Sequence, residues 1–176
     1  MSSGVRQLVA IIDQAYNKPS WHGTNLRGAV RRVTARQAAW RPSPRRHNIW
    51  ELVVHAAYWK YAATRRFTDA ARGSFPPPDW LARRPERSRA AHKGSNWFRR
   101  PIDAAHAGDK AWRADLELLD EMHARLRVAV MRLSPRDLAR TPAGRKVSNF
   151  ALLSGVAAHD LYHAGQIQLL KRLGSL

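Results

Sequence analysis

A chain of 176 residues with a formal charge of +18 and no cysteine fits one domain, 1–176, long enough to close a sizeable core. The missing thiols exclude disulfides, thiolate metal sites and an internal thiol nucleophile together. Residues 1–48 carry nine basic side chains against one acidic, a field that attracts polyanions; the basic residues are scattered and Arg-dominated and fit no recognised binding motif, so nucleic acid is a partner left open but not favoured.

In chain order, Val5, Leu8, Val9, Ile12, Ala15 and Tyr16 recur at helical spacing and predict a first helix over 4–17, before Pro19. Its apolar run Leu8–Ile12 stops at Asp13, far short of the roughly 20 residues that cross a membrane. No secretory signal is visible, so the expectation is a cytoplasmic protein with no membrane partner. Thr24 is expected to cap a short helix carrying Leu26, Val30 and Val33, and Pro42-Ser43-Pro44 halts helical structure.

Asn48-Ile49-Trp50-Glu51 has the form of a capping box and predicts a helix from there to about Arg72, ended by Gly73. His55 stands between Leu52 and Trp59 on its inward stripe. A connector rich in proline, arginine and glycine follows from Gly73 to Gly108, with Trp80, Trp97 and Phe98 expected to pin it. A third main helix is expected over Asp109–Leu133, with His123 off its apolar stripe and solvated. The last runs from a Ser148 cap to Leu173, with Gly174 as its stop. Four main amphipathic helices without alternating strands predict an all-α four-helix bundle, and the long second connection favours up-down-down-up topology.

His159 and His163 lie four residues apart on the stripe Leu152, Val156, His159, His163, Ile167 and Leu170. One turn of helix brings such side chains to about 5–6 Å between Cβ atoms, within chelating range. The pair is either a hydrogen-bonded core couple or part of a metal site. With His55 on a facing helix as third ligand, three imidazoles would leave coordination positions open on a divalent zinc, nickel, iron or manganese ion. The zinc-protease reading of His159-Asp160-Leu161-Tyr162-His163 lacks room downstream for its third ligand, and Glu-x-x-His pairs for a di-iron centre are absent.

Candidate catalytic residues are Asp160, expected to be solvated or to face a neighbouring ring, and Gln166, which could orient a ligand or a bound water. Glu51 is accounted for by its cap, Tyr58, Trp59 and Tyr162 by core packing or the cavity wall. His22 and His47 are expected at the surface, His47 being a reserve fourth ligand.

His47-Asn48-Ile49-Trp50-Glu51-Leu52-Val53-Val54-His55, together with Ala158-His159-Asp160-Leu161-Tyr162-His163-Ala164-Gly165-Gln166-Ile167 and the upstream Trp21-His22-Gly23, resembles the DinB-like superfamily of metal-binding four-helix bundles. The resemblance implies an up-down-down-up bundle, a divalent metal on His55, His159 and His163, frequent homodimers, and transfer or isomerisation of a small-molecule substrate with a low-molecular-weight thiol. The function expected is a metal-dependent hydrolase or thiol S-transferase that activates a water or an exogenous thiol. The alternative is a stress-related metal-binding scaffold whose basic surface meets an acidic partner or nucleic acid.

Overall fold

The computed structural model describes residues 1–67, 96–101 and 107–174, and every regular element in them is helical. The elements are α1 (Ser3–Tyr16), α2 (Leu26–Ala29), α3 (Ala35–Ala39), α4 (Ile49–Thr64), α5 (Asp109–Met131), α6 (Pro135–Ala139) and α7 (Asn149–Leu173). Four are long, and α4 packs against both α5 and α7, with α1 completing the core against α7 and α5. No helix among the described residues is long and apolar enough to cross a membrane. The predicted run of α4 to about Arg72 is cut short: the helix ends at Thr64, where Arg66 and Phe67 bond three residues back in tight turns, and the Gly73 stop and the Trp80 pin lie outside the described residues.

Helix starts follow local chemistry. Ser2, Asn48 and Ser148 each accept a hydrogen bond from a backbone N–H of the first turn of α1, α4 and α7, satisfying a donor that the helix itself cannot. The cap of α2 is Asn25, whose Oδ1 accepts from Gly28 N at 2.8 Å, and not Thr24. The stretch after α2 does not continue as one helix: Arg32 adopts φ +62°, a left-handed conformation costing a non-glycine residue about 1–2 kcal/mol, and Thr34 with Gln37 builds a new capping box for α3. Just beyond the expected end of the third main helix, Ser134-Pro135 starts α6, since Ser134 and Asp137 form a capping box with proline in the first turn. At the far end α7 stops at Gly174, where an added Cβ would lie 3.0 Å from the Trp40 ring, so a side chain there would have to push that ring aside.

The interior is polar in specific places. Lys60 of α4 and Asp160 of α7 are 0% and 1% exposed and form an ion pair in the core, with the Lys60 ammonium 4.8 Å from the centre of the Tyr16 ring. Burial pushes the Asp160 carboxyl above its usual range, and the ammonium beside it pulls it back. Asp160 is therefore not solvated, as its position after His159 had suggested. The buried stripe of α7 runs Leu153, Val156, Ala157, Asp160, His163, Ala164 and Ile167, one residue round from the expected one, leaving His159 half-buried on its edge.

His123 requires the same correction. It continues Leu119, Met122, Leu126 and Val130 at helical spacing, is 5% exposed, stacks on Tyr16 at 3.8 Å and meets Asp13 at 3.2 Å. Asp13 also accepts from Arg127, Asp115 from both Trp50 and Arg100, and Asp120 from Tyr16 and Arg27. These three carboxylates thus satisfy donors from other parts of the chain.

Burial, reinforced by the Lys60 charge, lowers the His123 pKa to about 4, so the ring is neutral in the fold and charges near pH 6.5 once unfolded. Between those values the unfolded chain holds the extra proton, so stability rises with pH through the window and falls on acidification from about 6.5 to 4. A series of urea titrations should show this slope, and His123→Gln should flatten part of it; an unchanged slope would place the acid sensitivity elsewhere.

Candidate metal centre

The structure brings His55 from α4 and His159 and His163 from α7 into one cluster, their ligand-capable nitrogens all within 4.8 Å of one another. His159 Nε2 lies 3.2 Å from His55 Nε2 and 3.0 Å from His163 Nε2. His55 and His163 are buried and His159 half-buried. Among the described residues, His47 is not in this group.

The outer nitrogens decide what the inner ones carry. His55 Nδ1 faces the Asn96 carbonyl at 3.0 Å, and a carbonyl only accepts, so the proton sits on Nδ1 and Nε2 keeps its lone pair. His163 Nδ1 lies 2.7 Å from Gln166 Oε1, and the Gln166 amide nitrogen donates to the Tyr162 hydroxyl at 3.1 Å, which orients the amide oxygen towards the histidine. His163 Nε2 is therefore also a bare acceptor. Two lone pairs then face the single Nε2 of His159, which can donate to one of them at most. At least one lone pair is thus left facing another nitrogen without a proton between them, an arrangement a cation relieves, and this donor set fits a divalent metal.

Electrostatics points the same way. Burial, with smaller contributions from the neighbouring imidazoles, depresses His55 to about 4 and His159 to about 3, and burial also lowers His163. All three are neutral at pH 7, the protonation state in which imidazole binds metal.

The walls come from α4 and the segment after the connector. Trp97 is sandwiched between two imidazoles, stacking on His47 at 3.6 Å and on His55 at 3.8 Å, both nearly parallel. Trp97 is thus pinned as expected, and its pinning point is the cluster itself. Trp59 meets His55 and His159 edge-on, while Tyr162, 64% exposed, packs against His163 at the rim.

Glu51, one turn before His55, does not reach back as the second half of a capping box. Its carboxylate accepts from Arg41, the Arg100 N–H and the half-exposed His47. Burial pushes the carboxyl up, but Arg41 and His47 outweigh it and hold it below the usual range. His47 is at the surface, as predicted, and is fixed there by Glu51 and Trp97.

A family model, the DinB superfamily, matches residues 20–167 and covers both helices that carry the histidines. The chain belongs to the DinB superfamily. No curated protein and no solved structure matches the chain. Within this DinB chain, residue spacing was enough to find the triad and Gln166. It missed Asn96, whose contribution is a backbone carbonyl and leaves no mark in side-chain identity. It also missed Lys60, although a lone lysine on the stripe Val53, Ala56, Ala57, Lys60 and Thr64 signals a buried countercharge.

Proposed function

We propose that this DinB-superfamily protein is a metal-dependent enzyme in which His55, His159 and His163 hold a divalent ion, zinc, nickel, iron or manganese, for hydrolysis or thiol transfer on a small molecule. The observation that carries the proposal is the convergence of two bare Nε2 acceptors on a third imidazole nitrogen, at 3.0 and 3.2 Å. When bound, such an ion supplies Lewis acidity and lowers the pKa of a water or thiol that reaches it.

The chain's own residues do the rest. Asn96 and Gln166 hold the outer protons of His55 and His163 and so aim the rings. Trp97 and Trp59 shield the His55 side from water. Tyr162 presents its hydroxyl at the exposed rim, where a substrate would arrive. Asp160 is taken up by Lys60 in the core and faces away from the cluster, so it has no step in the proposed chemistry.

An up-down-down-up bundle of α1, α4, α5 and α7, a homodimer, a cytoplasmic location and a low-molecular-weight thiol as co-substrate belong to the same proposal. Their support is the family and a chain without cysteine, which takes any thiol from outside.

Elemental analysis of protein purified without a nickel column tests the metal, with about one equivalent per chain expected. Absence of metal, together with no rise in Tm on adding any of the four ions, would defeat the proposal. Replacing all three histidines separates the roles: loss of turnover with the fold intact means catalysis, whereas unfolding means a structural ion in a scaffold. Gln166→Leu should weaken metal binding by about 10–100-fold without unfolding the chain, measured by competition with a chelator.

A further inference from the structure

Away from the triad, an open groove of about 830 Å³ runs between the stretch from the end of α1 to α3 and the last turns of α7. Arg27, Arg31, Arg32 and Lys171 line it with the amides of Gln37 and Gln168, and among the described lining residues there is no carboxylate. Arg31 and Arg32 are exposed and make no ion pair among the described residues. Asp120 holds Arg27 through Nε at 3.0 and 3.2 Å, which leaves the terminal guanidinium nitrogens for a ligand. Lys171 is set over the groove by its bond to the Ala29 carbonyl at 3.1 Å.

Arg32 supplies an independent observation. Its backbone is left-handed, φ +62°, where glycine or asparagine would sit without strain, yet the position holds an arginine. A left-handed backbone at a cationic side chain, beside a groove whose described lining residues include no carboxylate, fits a binding element.

We propose that this groove binds a compact phosphorylated anion, a ligand presenting a pyrophosphate or two neighbouring phosphate groups, with Arg27, Arg31, Arg32 and Lys171 as its cationic contacts. Guanidinium forks match phosphate oxygens in pairs, and the amides of Gln37 and Gln168 add neutral donors. None of the groove's described lining residues is aromatic, so they offer no stacking platform of the kind that holds single-stranded nucleic acid. The site shares no residue with the histidine cluster and stands or falls without the metal.

Calorimetric titration of the full chain with inorganic pyrophosphate, at matched ionic strength, tests it. Saturable binding of one pyrophosphate per chain is expected, weakened at least tenfold in Arg31→Gln/Arg32→Gln and unchanged in Arg145→Gln/Lys146→Gln, where two exposed cations elsewhere are removed. Arg32→Gly should weaken binding while its Tm does not fall, because glycine relieves the left-handed position. No saturable binding, or equal weakening in both double variants, would reduce the groove to general surface charge and overturn the proposal. It is also overturned if an oligonucleotide displaces pyrophosphate and binds more tightly, which would assign the groove to a nucleic-acid backbone.

Discussion

Replacing Lys60 or Asp160 singly with alanine is expected to destabilise the protein by about 3–5 kcal/mol, a large part of the roughly 5–15 kcal/mol that holds a typical domain folded. Both groups are removed from water, at 0% and 1% exposed, so deleting either one strands the other as an uncompensated buried charge. At about 2–4 °C per kcal/mol for a chain of this size, the Tm should drop by about 6–20 °C. Lys60→Met combined with Asp160→Leu should recover most of the loss, because two apolar side chains of similar volume remove both charges at once. Urea unfolding of the two singles and the double closes a mutant cycle. Single variants costing less than about 1 kcal/mol would mean that water reaches the pair.

The second large effect concerns metal. If an ion is supplied at about a hundred times its Kd, binding to the folded state alone adds about 2.7 kcal/mol, or about 5–11 °C in Tm. His55→Ala, His159→Ala and His163→Ala should each abolish that gain. His159→Leu is the most telling substitution: its Nε2 stands between the other two, and its buried Nδ1 has no hydrogen-bond partner. Without metal this variant should therefore be at least as stable as the parent, while failing to respond to any divalent ion. That opposition, stability kept and binding lost, separates a built site from an ordinary core contact. Scanning calorimetry with and without metal reads both halves, and a metal response that survives in His159→Leu would remove it from the ligand set.

The helices, their caps at Asn48 and Ser148 and the Gly174 stop were legible in the sequence because these depend on neighbours a few residues away. The triad was legible for a similar reason: His159 and His163 share a helix, and His55 marks an apolar stripe on another. What failed was the sign of burial for charged residues. Asp160 and His123 lie on buried stripes, but a titratable side chain there reads as solvated until its partner, Lys60 or Asp13, is known from across the fold. Glu51 failed differently, since Arg41 and Arg100 compete successfully for a carboxylate that local rules assign to the helix start. The half-turns of chain around Arg32 and Ser134 were too short for periodicity to report.

The inward use of carboxylates has a consequence for how the protein meets its surroundings. Asp13, Glu51, Asp115 and Asp160 are mostly hidden, each answering a donor from another part of the chain. These four of the thirteen acidic side chains are held against internal donors, and the formal +18, which already counts all thirteen, is felt from outside. At physiological salt that field fades within about 8 Å, whereas in dilute buffer it reaches several times farther. In dilute buffer the coat of arginines therefore adds a repulsion between copies, as between like-charged colloids, so the proposed homodimer should tighten when salt, or a bridging anion, shortens its reach.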